Sequence, residues 1–223
     1  FAYNATLKSK YKKKFSFYVN NINSIKKKIK HLHTKKNKVC AMQIRNVPHF
    51  GHEAVFKHLI NKFDLLVLNP IFGIKKNKDF TDHLIKSSLK YMEKKYKNIK
   101  FLHIWSNFHY AGPREALHHM MLRENLGFKF FYVGRDHAGA ENIYKPLAAI
   151  KLVKKFIKRF KIKPITSSGG YYCAKCKKYL IKGACSHKNL INISGTKFRE
   201  ALRLKSIYTH ADKKLQSRII KNI

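Results

Sequence analysis

Apolar positions along this chain come in short unbroken runs, separated by longer stretches where they recur every three or four residues. The runs "VCAMQI" from Val39, "DLLVLNP" from Asp64, "IKFLHIW" from Ile99, "FKFFYVG" from Phe128 and "IKPIT" from Ile162 are too short for helices and predict buried strands. Between them the spacing predicts helices from about His49 to Ile60, over 79–96 with Phe80, Leu84, Leu89 and Met92 on one face, over 112–125 and over 144–160. Pro113 sits at a first-turn position of the third, where its missing N–H costs nothing. Strand alternating with helix predicts an α/β fold with a parallel sheet covered on both faces. Such sheets bind ligands beyond the carboxyl ends of their strands. The polar segments Gln43–His52, Asn107–Arg114 and Gly134–Gly139 all lie there and are expected to share one crevice.

Residues 1–38 are rich in Lys and Asn, with fragments of helical pattern such as "INSIKKKIKHL", and are expected to form a basic, peripheral N-terminal arm or linker. The start, "FAYNATLKSKYKKKF", lacks the apolar core of a secretory signal, and no apolar run approaches the length of a membrane span. With 44% hydrophobic residues the chain can bury a core in spite of a net charge of +38. That charge suits a polyanionic partner. It also follows from a coding bias toward Lys, Asn, Ile, Phe and Tyr, so charge alone does not decide the function. The bias gives the eight arginines (45, 114, 123, 135, 159, 199, 203 and 218) added interest. Where Lys is the default cation, a retained Arg suggests a need for its planar fork.

Four segments carry chemistry. "HFGH" puts His49 and His52 at i and i+3 at a helix start, where ring donors and exposed backbone N–H groups suit a phosphate. A structural pair or half of a metal site would use the same spacing, but Gln43 and Arg45 just upstream favour an anion. "HYAGPREALHH" brings Arg114 to another helix start, again able to face an anion, and "VGRDHAG" brackets Arg135, Asp136 and His137 between Gly134 and Gly139. "ISGTKFRE" leads into a helix with Lys197 and Arg199. Separately, "CAKCKKYLIKGACSH" offers Cys173, Cys176, Cys185 and His187. Three thiolates and an imidazole at this spacing suit a closed, structural Zn²⁺ site, with a disulfide or an iron site as alternatives. Cys40 reads as a small buried hydrophobe, and reduced thiols suit a cytoplasmic protein.

Together the segments resemble the ATP sulfurylases (sulfate adenylyltransferases). "QIRNVPHFGHE" is similar to that family's QxRN and HxxH, "YAGPREALHH" and "VGRDHAG" to its two other signature loops, and "ISGTKFRE" to the partner of HxGH in the wider nucleotidyltransferase superfamily. The resemblance runs from about Val39 to the C-terminus. It implies a Rossmann-like parallel sheet of the HxGH nucleotidyltransferase type, with a zinc-knuckle insertion of the bacterial kind and C-terminal helices. The implied domains are the arm at 1–38, a catalytic domain at 39–165, the knuckle at 166–193 and the ISGT element with its helices at 194–223. The family's N-terminal PUA-like domain is not visible upstream of residue 39, and is expected to be lost or truncated.

The implied reaction converts sulfate and MgATP to adenosine 5′-phosphosulfate and pyrophosphate, or the reverse. By carry-over, Gln43 and Arg45 hold sulfate with the Ala138 N–H. His49 and His52 contact the ATP phosphates, Asn46 shapes the loop, and Arg135 lies between sulfate and the α-phosphate. Gly134, Asp136 and His137 belong to the nucleotide loop; Mg²⁺ arrives with ATP and Zn²⁺ is structural. Sulfate needs no deprotonation, so catalysis rests on positioning and charge stabilisation. A homo-oligomer stays open, as does the physiological direction, sulfate assimilation or sulfur oxidation. Pro48 stands one place later than in the common family order, and Phe108-His109 replaces Met-Arg before "YAGP". Three other readings are an HxGH nucleotidyltransferase with another acceptor, a basic zinc protein that binds nucleic acid, and an inactive sulfurylase. The first is opposed by QxRN and GRDHAG, the second by the motifs it leaves unexplained, the third by the intact site residues.

Overall fold

The computed structural model describes residues 22–35, 38–73, 79–106, 108–135, 137 and 143–221. Its centre is a five-stranded, wholly parallel sheet. The strands are β1 (Val39–Met42), β2 (Leu65–Leu68), β4 (Ile99–Phe101), β6 (Phe130–Val133) and β7 (Lys163–Thr166), in the spatial order β4-β2-β1-β6-β7. The chain therefore works outward from β1 on one side, then returns and works outward on the other. A crevice must open between β1 and β6, where the crossovers part to opposite faces.

Residue alternation sorts the core into two layers. Cys40, Met42, Leu66 and Leu68 belong to one apolar cluster, and Val39, Ala41, Leu65 and Val67 to the other. All are buried, as a parallel strand covered on both faces requires. The first cluster includes residues of helices α2 (Phe50–Ile60), α3 (Asp82–Lys95), α6 (Gly195–Arg203) and α7 (Lys213–Ile220). The second includes residues of α1 (Ile22–Lys35), α4 (Pro113–Leu126) and α5 (Ala148–Phe156). Helix α1 falls inside the expected arm, yet its Ile29 is 1% exposed and Ile22, Ile25 and Leu32 pack on the same cluster. That stretch is an amphipathic helix of the fold rather than an arm. No helix among the described residues is long and apolar enough to cross a membrane.

The run "IKFLHIW" does not form one strand. β4 pairs with β2, whereas β5 (Ile104–Trp105) pairs with β3 (Ile71–Phe72) in a separate two-stranded sheet. Pro70, between β2 and β3, has no N–H to continue the ladder, and its carbonyl accepts from the Ile104 N–H at 3.0 Å. The cysteine-bearing segment folds as a three-stranded antiparallel sheet, order β10-β8-β9, from β8 (Gly170–Cys173), β9 (Lys178–Ile181) and β10 (Leu190–Asn192).

One cation is buried in this framework. Arg123 of α4 is 0% exposed. Its Nε donates to Asn69 Oδ1 at 2.9 Å, its Nη2 to the Asn69 carbonyl at 2.6 Å and its Nη1 to the His119 carbonyl at 3.4 Å. The guanidinium lies over the Phe131 ring. Burial lowers its pKa to about 9, so it stays charged at neutral pH. It ties the end of β2 to α4 through Asn69, whose side-chain amide also donates to the Leu102 carbonyl. Arg123→Ala would strand these acceptors and leave a cavity, and is expected to lower unfolding free energy by roughly 3–5 kcal/mol in urea titrations. A loss below about 1 kcal/mol would remove Arg123 from the framework.

Candidate active site

Beyond the ends of β1 and β6 lies an open cleft of about 570 Å³. The segment after β1 contributes Gln43, Arg45, Asn46, His49 and His52, and that after β6 contributes Gly134, Arg135 and His137. These residues were expected to meet, and they do so at the topological switch point. Asp136, Ala138 and Gly139 lie outside the described residues. Arg114, expected to face an anion, is exposed and does not line the cleft. Its position one residue past Pro113 turns it outward, while Glu115 and His119 turn in. Of the last motif, Thr196 and Arg199 reach the cleft.

The helix start is built differently from a plain anion cradle. His49 is the N-cap of α2. Its Nδ1 accepts the Gly51 N–H at 3.1 Å, and the Nδ1 of His52 accepts the His49 N–H at 3.2 Å. The two rings, 4.0 Å apart between centroids, thus take the part that Ser and Glu play in a capping box. With Nδ1 accepting, each neutral ring carries its proton on Nε2. The donors offered are therefore ring N–H groups of fixed tautomer, because the Gly51 N–H is already used. Burial, reinforced by each other's proximity at His49, holds His49 well below its usual pKa and His52 at about 4.

Gly170 allows the antiparallel sheet to approach the first turn of α2. A Cβ on Gly170 would come 2.1 Å from the Gly51 carbonyl oxygen, and one on Gly51 would come 3.3 Å from the Gly170 carbonyl. Backbone lies on backbone here. The same sheet supplies Tyr171, whose hydroxyl accepts from Arg135 Nη1 at 2.9 Å, and Asn192, 3.5 Å from the same nitrogen. Across the cleft, Arg45 stands over the Tyr110 ring. Tyr110 donates to Asp79 at 2.8 Å, and Asp79 accepts from Arg199 at 3.2 Å. Tyr110 holds a φ of 52°, a left-handed conformation unusual for an aromatic residue.

From the cleft wall inward runs a chain of polar groups, half-buried at His137 and buried at His119 and Glu115. Glu115 accepts the N–H groups of His109 at 3.1 Å and Ala111 at 2.9 Å, and lies 3.4 Å from His119 Nε2. His119 Nδ1 is 3.0 Å from His137 Nε2. Burial opposes ionisation of Glu115, but His119 and the two N–H groups outweigh it and hold its pKa at about 2. Burial holds His119 at about 4, and pushes His137 well below the imidazole range. The side-chain oxygens Gln43 Oε1 and Asn46 Oδ1 are buried with no hydrogen-bond partner among the described residues, which invites a bound group beside them. The site thus offers arginines, neutral ring donors and amides, and no carboxylate lines it among the described residues.

Cys173, Cys176, Cys185 and His187 form a group that could hold a metal ion, their ligand atoms all within 4.8 Å of one another. His187 Nδ1 is 3.5 Å from Cys173 Sγ and 3.2 Å from Cys176 Sγ. A tetrahedral Zn²⁺ with bonds of about 2.0–2.3 Å sets its ligand atoms roughly 3.5 Å apart, so the donor set fits.

Sequence reasoning did not single out His119, Tyr110, Asp79, Tyr171 or Asn192 as parts of the site. A doubled histidine four residues after Glu115 was a visible signal for the first; the others are set by tertiary contacts.

A family model described as ATP-sulfurylase matches residues 18–208. Similar curated proteins are the sulfate adenylyltransferases of Hyperthermus butylicus (39% identical over 169 residues, 74% of this chain and 43% of the relative), Pyrococcus abyssi (40% over 169, 74% and 44%) and Persephonella marina (33% over 171, 74% and 44%). The chain spans less than half the length of these relatives. Among solved structures, a hexameric APS kinase from Thiobacillus denitrificans superposes with a TM-score of 0.67 over 90% of this chain and 40% of that chain. At 13% identity, that likeness shows the fold alone.

Four histidines held as neutral rings, His49 and His119 buried and His52 and His137 half-buried, make the fold acid-labile in a defined window. His49, His52, His119 and His137 all have lowered pKa values, so near pH 6.5 the unfolded chain takes up protons that the folded one refuses. Stability is expected to fall as pH drops from about 6.5 toward 4, with Glu115 extending the loss toward pH 2. Urea midpoints should show this, and His119→Asn should make the dependence shallower. A midpoint unchanged between pH 7.5 and 4.5 would contradict it.

Proposed function

The chain belongs to the ATP-sulfurylase family, and from that premise we propose that it transfers the adenylyl group of ATP to sulfate, giving adenosine 5′-phosphosulfate and pyrophosphate, or runs the reverse. The observation that carries the reading is the meeting of Arg45, His49, His52 and Arg135 in one cleft beyond β1 and β6. Two mutually repelling anions must be held there side by side. Arg45, with Gln43 and the N–H of Ala138, binds sulfate. The Nε2–H groups of His49 and His52 donate to the triphosphate, and Asn46 shapes the loop between them. Arg135 stands between the sulfate and the α-phosphate. Gly134, Asp136 and His137 complete the nucleotide side. A sulfate oxygen attacks the α-phosphorus in line as the bond to the bridging oxygen of pyrophosphate breaks. No proton moves, which agrees with a cleft lined by arginines and neutral ring donors, and by no carboxylate among the described residues. Mg²⁺ bound with ATP would neutralise part of the phosphate charge.

The division into a catalytic domain of the HxGH nucleotidyltransferase type at 39–165, a bacterial-type knuckle at 166–193 and an ISGT element at 194–223 belongs to the same reading. Cys173, Cys176, Cys185 and His187 hold structural Zn²⁺, which leaves no position for substrate. Reduced thiols support a cytoplasmic location.

Formation of ATP from adenosine 5′-phosphosulfate and pyrophosphate with Mg²⁺ is the favourable direction and tests the reaction. Arg45→Ala and His52→Ala should each lower the rate by about a hundredfold or more with the fold intact. A variant of near-normal rate would remove that residue from its role, and silence from the folded wild type would remove the reaction. Cys176→Ser should lose bound zinc and melt earlier; unchanged metal content in that variant would refute the site.

A further inference from the structure

The antiparallel sheet is more than a scaffold for its four metal-type ligands. β8 runs in four residues from Gly170, pressed on the Gly51 carbonyl, to Cys173 of the ligand group. Tyr171 lies between them. In the β8–β10 pairing Tyr171 stands directly opposite Asn192, so their side chains project from the same face. Both reach Arg135 Nη1, at 2.9 Å and 3.5 Å, and the guanidinium lies 5.8 Å from the Tyr171 ring centroid. The Tyr171 hydroxyl donates its one hydrogen to the Ser168 carbonyl at 2.9 Å. Its lone pair is therefore committed to accepting, and can only meet a donor such as Arg135.

We infer that Tyr171, with Asn192 as its cross-strand partner, is a positioning residue that fixes the Arg135 guanidinium over the cleft. This rests on the role proposed for Arg135. A long side chain on a loop after β6 has many rotamers, and a guanidinium stabilises a transition state only from a fixed place. The antiparallel sheet touches both sides of the cleft, through Gly170 on the helix of His49 and His52 and through Tyr171 on Arg135. It sets the distance between them.

Tyr171→Phe keeps the ring and removes the acceptor. It is expected to lower kcat about ten- to hundredfold with KM changed far less. In a double-mutant cycle, Tyr171→Phe should add nothing once Arg135 is already Ala. Independently of activity, nitrogen NMR of the Arg135 guanidinium, assigned by its absence in Arg135→Ala, should show slow rotation about Cζ–Nη in the wild type and faster rotation in Tyr171→Phe and Asn192→Ala. Equal rotation in wild type and Tyr171→Phe, or losses that add fully in the cycle, would overturn the inference. A folded wild type that makes no ATP would count against the reaction, and the rotation measurement alone would then decide whether Tyr171 holds Arg135.

Discussion

Everything at the site depends on the reversal of strand order at β1. Parallel strands need crossovers, and crossovers that leave β1 and β6 in opposite directions cannot close over the space between them. The loops after these strands must therefore face each other across an open cleft, whatever residues they carry. The sequence fills that obligatory gap with cationic and neutral donors. The framework behind it is fixed by Arg123, which joins α4 to the end of β2 through Asn69, and by Glu53. The latter is 4% exposed in the first turn of α2 and accepts from Lys95 and Tyr96, while Lys95 also reaches Asp212 at the start of α7. Helices on one face are thus tied to the histidine-bearing turn by charge as well as by apolar packing.

The cleft adds uncharged donors to the positive charge that the rest of the chain carries. The chain carries 49 Lys and Arg against 11 Asp and Glu, yet the imidazoles near the cleft are kept neutral by burial. An anion entering would meet charge from arginines and directed, uncharged donors from the rings. Neutral donors of fixed tautomer need no change of protonation as substrates bind. For the adenylyl transfer proposed above, catalysis by orientation suits a nucleophile that has no proton to lose.

Much of this was legible in the sequence, and the reasons differ by element. The central strands β1, β2 and β6 are apolar on both faces, so they appear as unbroken runs, and motif spacing brought Gln43, Arg45, His49, His52 and Arg135 to strand ends. Helix α1 showed its helical pattern in "INSIKKKIKHL", but its docking hid behind its lysines, because three or four apolar positions suffice to dock a helix whose other faces stay wet. The division of "IKFLHIW" turned on Pro70, some thirty residues away in sequence and adjacent in space. Arg123 looked like one of eight similar residues; only burial distinguishes it. Tyr171 and Asn192 are separated from Arg135 by dozens of residues, and nothing local marks a tyrosine as an arginine's acceptor. Arg114 misled because a helix start has several faces, and the sequence does not say which one turns to the ligand.

The contact between Gly51 and Gly170 bears on how this chain can change over generations. A side chain at position 170 would strike the carbonyl oxygen of residue 51, and that oxygen is present whatever amino acid occupies position 51. No second substitution at the partner can therefore restore the fit, as a smaller side chain restores an overfilled core. Such a position has no neighbouring path to follow. Its constancy would be a matter of geometry alone, inherited with the docking of one backbone on another.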